Sequence, residues 1–338
     1  MQKLVNQIWY GKHWLKWLLL PLSALFAVIT SLRRLLFRLG LKTRSQLSVP
    51  VVVVGNITAG GSGKTPTVIH LINLLKANGL QPGVVSRGYG SSGTGVRAVT
   101  NSSTPDEVGD EPLMIYQRTQ VAMVVGSQRV LAAQKLIDDF NVDVIICDDG
   151  LQHYALERDL EIALVDGARR YGNECLIPAG PLREGLWRLN SVDWIINNGG
   201  PLVADNNMNE QLMLLEPAPL QAVNTDLATE FVAPNFDDEC VAIAGIGNPQ
   251  RFFDSLTQQG FNVVKAVAFE DHQAYQAKTL NALAKQSPLL MTEKDAVKCR
   301  EFASQNWWYL PVNAKLSKEF DHQFMSRVTQ LIQRKKEN

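Results

Sequence analysis

At 338 residues the chain is long enough for two domains with well-buried cores, and 46% hydrophobic with 20% charged residues excludes a disordered or fibrous protein. The formal net charge is zero but segregated: residues 1–105 contain twelve Lys and Arg and no Asp or Glu, leaving 21 basic and 33 acidic residues for the rest. A basic front end precedes an acidic body.

The front end opens with an uncharged apolar run, Trp17 to Leu32, flanked by Lys12 and Lys16 before it and Arg33, Arg34 and Arg38 after it. Tryptophans at 9, 14 and 17 gather at one end, where amphipathic rings favour the membrane–water boundary. Sixteen helical residues reach roughly 24 Å, short of a ~30 Å hydrocarbon core, and Pro21 would kink the helix or confine it to a first turn. No small-residue cleavage site follows, so a secretory signal is not expected. The run reads as a membrane-associated helix over residues 1–45; whether it spans or lies in the interface stays open.

Val51–Val54 then leads into Gly55-Asn56-Ile57-Thr58-Ala59-Gly60-Gly61-Ser62-Gly63-Lys64-Thr65 and a helical segment over Thr67–Ala77. A buried strand entering a glycine turn and leaving as a helix is the layout of a phosphate-binding loop. Thr58, Gly60, Gly61, Ser62, Gly63, Lys64 and Thr65 form the candidate cradle. Lys64 would reach the β- and γ-phosphates, and the Thr65 hydroxyl would ligate Mg²⁺. Thr58 stands where the strict pattern has its first glycine. Further apolar runs at Gly83–Ser86, Val121–Val125, Val142–Cys147, Leu160–Val165 and Val192–Ile196 alternate with helical segments such as Ser127–Phe140. This predicts an α/β fold, a P-loop NTPase-type parallel sheet over residues 46–205 with its chemistry at the carboxyl ends of strands.

Three stretches stand out, two of them at strand ends. Arg87, after Val84-Val85-Ser86, could clamp a phosphate or be a surface arginine in a loose loop. Asp110 and Glu111 open a helix near Leu113–Arg118; the pair could cap it, or serve as a base and a metal ligand for a hydroxyl attacking a γ-phosphate. Asp148 and Asp149 end the strand Val144–Cys147, where a P-loop protein holds Mg²⁺, and Gln152 and His153 follow as further ligands or water-bridging groups. Two adjacent carboxylates repel, and a bound cation is the simplest reason to keep them together. The Gly-Pro turn at 177–184 either lines an acceptor pocket or merely connects elements.

Residues 206–235 are polar and Pro-broken and read as a linker; residues 236–338 read as a smaller α/β domain with strands at Cys240–Ala244, Val263–Ala268 and Leu289–Thr292. Gly245-Ile246-Gly247 is half a dinucleotide fingerprint, which keeps a nicotinamide oxidoreductase as a distant alternative. His272 beside Asp271 is either structural or, facing the first domain, able to tune an acidic base. Lys294-Asp295 lacks the Asn of a guanine-reading motif, which argues against a GTPase. Cys147, Cys175, Cys240 and Cys299 have no metal-ligand spacing and read as free thiols in a reducing compartment.

Seven segments occur in an order that resembles one family: Gly-Asn-Ile-Thr-x-Gly-Gly-Ser-Gly-Lys-Thr-Pro (55–66), Ser-Arg-Gly-Tyr-Gly (86–90), Val-Gly-Asp-Glu-Pro (108–112), Asp-Asp-Gly-Leu-Gln-His (148–153), Gly-Pro-Leu-Arg-Glu (180–184), Gly-Asn-Pro-Gln-Arg-Phe-Phe (247–253) and Phe-x-Asp-His (269–272). They resemble the tetraacyldisaccharide 4′-kinases of lipid A biosynthesis over most of the chain. The resemblance implies ATP- and Mg²⁺-dependent phosphorylation of the 4′-hydroxyl of a tetraacyldisaccharide 1-phosphate, giving lipid IVA at the cytoplasmic face of the inner membrane. It implies Asp110 as base aided by His272, Arg87 and Lys64 at the transferring phosphoryl, and Thr65, Glu111, Asp148, Asp149, Gln152 and His153 around Mg²⁺. The expected partners are the lipid disaccharide and the membrane surface, with no nucleic acid and no obligate protein partner. On residues alone, the rival is a membrane-anchored P-loop ATPase switch without a lipid acceptor.

Overall fold

The continuous Val/Ile runs pair into one large sheet, and the later strands form a second. The computed structural model describes residues 2–90, 93, 95–202, 209–224, 233–271 and 273–337. Two helices come first, α1 (Gln2–Tyr10) and α2 (Leu15–Arg38). Then follow β1 (Val51–Gly55), α3 (Lys64–Ala77), β2 (Pro82–Ser86), β3 (Arg97–Ala98), α4 (Pro105–Val108), α5 (Asp110–Thr119), β4 (Ala122–Val125), α6 (Arg129–Phe140), β5 (Val144–Asp148), β6 (Leu160–Asp166), β7 (Trp194–Asn198) and β8 (Glu210–Pro217). The remainder gives β9 (Gln221–Ala222), β10 (Cys240–Ala244), α7 (Pro249–Gln258), β11 (Val263–Ala268), α8 (Ala277–Ala284), β12 (Leu289–Thr292), α9 (Glu293–Cys299), β13 (Trp307–Leu310), β14 (Val312–Lys315) and α10 (Lys318–Glu337).

The large sheet runs β14-β8-β7-β6-β1-β5-β2-β4-β3. It is parallel from β8 to β4, and β14 and β3 close its edges antiparallel. Every residue of β1, β2, β5, β6 and β7 is buried. Both faces of the sheet are covered, which is why these strands read as unbroken apolar runs rather than alternating ones. β1 pairs with β5 on one side and β6 on the other, so the crossovers diverge there and leave a crevice at its carboxyl end. The smaller sheet runs β11-β10-β12-β13-β9, parallel except at β9.

The chain does not end in the smaller sheet. After β13 it returns, β14 pairing with β8. α10 then lays Phe320, Phe324, Val328 and Ile332 into the core of the larger sheet. Phe320 meets Trp194 edge-on with ring centroids 5.6 Å apart, and Asp321 lies 2.8 Å from His70 on α3. The stretch 236–338, expected as one smaller domain, is thus divided between two sheets, and β8 inside the expected 206–235 linker belongs to the larger one. The reason is burial: the i, i+4 stripe of α10 and the large Trp194 side chain each need the other's surface.

α2 continues past the apolar stretch at both ends to 24 residues with Pro21 inside it, and is long and apolar enough to cross a membrane by length and composition. One side of it is docked: Ser23 donates to Leu176 O (2.8 Å) and accepts from Ala179 N (2.9 Å). Further along the same side the Arg34 guanidinium stacks 3.7 Å from the centre of Trp187, and Phe37 packs near Tyr154. The other side exposes Trp17, Leu18, Leu22, Leu25 and Ile29.

Phe324→Ala should lower unfolding free energy by about 3–5 kcal/mol, as a fully buried aromatic in a shared core does, read from the urea midpoint. An unchanged midpoint would show that α10 is not part of that core.

Candidate active site

The glycine turn after β1 is held in shape by its neighbours. Gly60 (φ +104°) and Gly63 (φ +91°) take left-handed backbone, and a Cβ on Gly63 would fall 2.5 Å from the Asn198 amide nitrogen. α3 begins at Lys64, so its unpaired N–H groups and positive dipole face the turn. Asn56 braces the turn from inside: Nδ2 donates to Gly60 O (3.1 Å), and Oδ1 accepts from Lys64 Nζ (3.4 Å). Asn198 donates to Ser62 O (3.2 Å) and Arg169 to Gly61 O (2.7 Å). Gly60 to Thr65 line a cavity of about 1400 Å³.

Thr58, expected in the phosphate cradle, is buried one turn back. Its backbone bridges Leu182, with Ala59 N donating to Pro181 O (2.7 Å) and Arg183 N to Ile57 O (2.6 Å). This short ladder keeps the chain extended at Thr58, so no glycine is needed there. The Gly-Pro segment at 180–184 is therefore a brace for the phosphate loop.

Asp148 ends β5 and is buried. Its Oδ2 accepts from Ser86 Oγ (3.0 Å), while Oδ1 has no hydrogen-bond partner among the described residues. Burial, then the nearby Glu111 and Asp149 charges, push its pKa up to about 6. Asp149 adopts φ +49° and points elsewhere: Arg183 Nη1 reaches both its oxygens (3.0 and 3.1 Å), and Lys64 lies 3.6 Å away. Burial works to raise its pKa, but Lys64 and Arg183 outweigh it and hold the carboxyl below its ordinary range. An orphaned carboxylate oxygen lining the same cavity as Thr65 fits a divalent cation. Among the described residues no cluster of three or more His, Cys, Asp or Glu makes a closed metal cage.

Gln152 spends its amide nitrogen on bracing, donating to Asn56 O (3.2 Å) and Glu184 Oε2 (2.9 Å). His153 faces the cavity; burial, then Arg129, Arg158, Arg33 and Arg87, push its pKa down to about 4, so it is neutral at physiological pH. Arg87 lines the cavity and is exposed.

Asp110 is the first residue of α5. The cap falls instead on Gly109, whose φ of +91° and 2.9 Å approach to Tyr89 O leave no room for a side chain. Asp110 is buried, with Oδ1 accepting from Glu111 N (3.0 Å) and Oδ2 3.8 Å from Lys294 Nζ. Glu111 pairs with the same lysine at 3.0 Å. His272, expected beside this base, lies outside the described residues.

The smaller sheet closes the cavity from above. In the turn after β10, Gly245 N donates to the buried Asp295 (3.0 Å), and a Cβ on Gly247 would stand 3.6 Å from Gly61 N of the phosphate loop. Arg251 of α7 donates to Asn198 (2.9 Å). The half-fingerprint glycines thus face the phosphate loop across a narrow gap. The roles of Asn198, Arg251, Lys294 and Arg183 in the site escaped sequence reading. Asn198 at the end of β7 and Lys294 just after β12 obey the strand-end rule that found the aspartates.

A model of the tetraacyldisaccharide-1-P 4′-kinase family matches residues 15–329. The tetraacyldisaccharide 4′-kinase of Shewanella frigidimarina is 64% identical over 336 residues, 99% of this chain and 98% of that protein. The enzyme of the same name from Shewanella oneidensis is 58% identical over the same coverage. A crystal structure of LpxK from Aquifex aeolicus, an "apo" form in complex with ATP, superposes with a TM-score of 0.79 at 27% identity, covering 94% of this chain and 99% of that one.

Folded Asp148 binds its proton more tightly than the unfolded residue does. Its contribution to stability is therefore complete below the ordinary pKa of 3.8 and lost as pH rises through about 6. Without metal, Asp148→Asn should be more stable than the parent by about 3 kcal/mol near pH 7.5, with the gain vanishing below about pH 4, in urea titrations with chelator. A parent equally stable at the higher pH would contradict an uncompensated carboxylate there.

Proposed function

The chain belongs to the tetraacyldisaccharide 4′-kinase family, and on that premise we propose how its cavity passes a phosphate to a lipid sugar. The protein is a kinase of lipid A biosynthesis, moving the γ-phosphate of ATP to the 4′-hydroxyl of tetraacyldisaccharide 1-phosphate. The observation that carries the site assignment is that one cavity is lined by Gly60 to Thr65, by Asp148 and Asp110, and by Phe26, Thr30 and Arg33 of α2. Donor and acceptor can meet there from opposite sides.

In this reading the loop N–H groups and Lys64 hold the triphosphate of ATP. Thr65 and Asp148 would hold Mg²⁺, with Asp149, Glu111, Gln152 and His153 around them; the ion would neutralise charge on the β- and γ-phosphates. Asp110 takes the proton of the 4′-hydroxyl as its oxygen bonds to the γ-phosphorus and the bond to the bridging oxygen of ADP breaks. Lys64 and Arg87 offset charge on the moving phosphoryl. His272 is assigned to orient Asp110. The residues 46–205 supply donor chemistry, and the smaller sheet supplies the cover.

We further infer attachment to the inner membrane at its cytoplasmic face, through an α2 that lies in the interface. A spanning helix would shed its protein contacts, whereas Ser23, Arg34 and Phe37 dock along one side of α2 and leave the opposite side to lipid. Arg33, Arg34 and Arg38 suit anionic headgroups.

Two measurements test this. With Mg-ATP and the lipid disaccharide 1-phosphate in detergent micelles, Asp110→Asn should lower kcat by about 10²-fold or more while the ATP KM stays within about threefold. Equal losses in both, or none, would reduce Asp110 to a structural role, and ATP hydrolysis that ignores the acceptor would favour a switch. Deleting residues 1–38 should release the protein from anionic vesicles in flotation; a truncated form that still floats would put the anchor elsewhere.

A further inference from the structure

A lysine outside the phosphate loop gathers more carboxylates than any packing role needs. Thr292 ends β12 and caps α9, its Oγ1 accepting from Asp295 N (3.2 Å) and donating to Asp295 Oδ2 (2.6 Å). The Asp295 carboxylate is wholly buried and also takes Tyr275 OH (2.8 Å), Gly245 N (3.0 Å) and Lys298 (2.9 Å). The first turn of α9 is thereby fixed to the smaller sheet. From this turn Lys294 reaches across the gap. Its ammonium lies 3.0 Å from Glu111 Oε1, 3.0 Å from Asp271 Oδ1 and 3.8 Å from Asp110 Oδ2, with only 12% of the side chain exposed.

A second pair runs the other way. Arg118 of α5 reaches Glu293 of α9 at 2.7 Å and donates to Val312 O at 2.9 Å. α5 and α9 are thus stapled by two oppositely directed ion pairs one helical turn or two from the candidate base. A bridge that only joined the sheets is already present in Arg118–Glu293. Lys294 instead places its charge among three carboxylates that would otherwise repel and turn apart.

We propose that Lys294 is a positioning residue for phosphoryl transfer: carried by the smaller sheet, it holds the Asp110 and Glu111 carboxylates of the larger one in their working orientation. This rests on the reading of Asp110 as the base. Chemistry then depends on the smaller sheet being seated, because only a seated α9 delivers the ammonium. An ammonium with three donors can serve several acceptors at once, which a single carboxylate–arginine pair does not require.

The test uses the full-length protein with Mg-ATP and lipid disaccharide 1-phosphate in micelles, measuring kcat, the ATP KM and nucleotide affinity at equilibrium. Lys294→Met should lower kcat on the order of 30- to 100-fold with the ATP KM within about threefold, and Lys294→Arg should recover most of the loss. In an Asp110→Asn background, Lys294→Met should cost less than about threefold more, because its effect passes through a base no longer there. Full additivity in that background, or an ATP KM rising in step with the loss of kcat, overturns the proposal. Loss of kcat in Asp110→Asn but not in Lys294→Met would sink the lysine's role alone, whereas an active Asp110→Asn would sink the base itself. If the methionine variant does not fold, Lys294→Gln carries the same cycle.

Discussion

Buried and half-buried carboxylates that cannot be left alone govern the carboxyl end of the central sheet. Asp148 and Asp149 are adjacent in sequence, and Asp110 and Glu111 open a helix onto the same cavity. Like charges at this density destabilise a fold unless something answers them. The fold answers three ways. Asp149 turns into left-handed backbone and takes Arg183 and Lys64; the α5 pair takes Lys294 from the other sheet; Asp148 keeps one oxygen on Ser86 and leaves the other orphaned. The orphaned oxygen is left without a hydrogen bond among the described residues, and a cation bound there would supply a counter-charge.

The same logic explains why the phosphate loop is so heavily braced. Asn56 touches both the turn and Lys64, Gln152 ties Asn56 to Glu184, and Tyr154 hydrogen-bonds Glu184 from beneath α2. Phe37 of α2 packs near that tyrosine. A continuous chain of contacts therefore runs from the exposed apolar helix α2 to Lys64 of the glycine turn. Rigid support of this kind keeps reacting groups within the small tolerances that transfer demands.

Local and strand-end features were legible in the sequence. The Val51–Val54 run, the glycine turn and the Asp148-Asp149 strand end each carry their structure in a few neighbouring residues. Thr58 departs from the glycine pattern because its backbone is pinned by residues 181–183, a partner more than a hundred positions away that no local rule reveals. Lys294, Asn198 and Arg251 matter through contacts between sheets, and the return of β14 and α10 to the larger sheet depends on Trp194 needing cover. Asp110 illustrates the limit most plainly: its residue type fits a cap equally well, and only the fold moves the cap to Gly109.

The direct test of this charge balance is a crystal structure with Mn²⁺ and a non-hydrolysable ATP analogue, using anomalous scattering to locate the ion. Manganese should lie within ligand distance of Asp148 Oδ1 and the Thr65 hydroxyl, with Lys294 still on Asp110 and Glu111. Manganese seated among Asp110, Glu111 and Asp271 with the lysine displaced would contradict it.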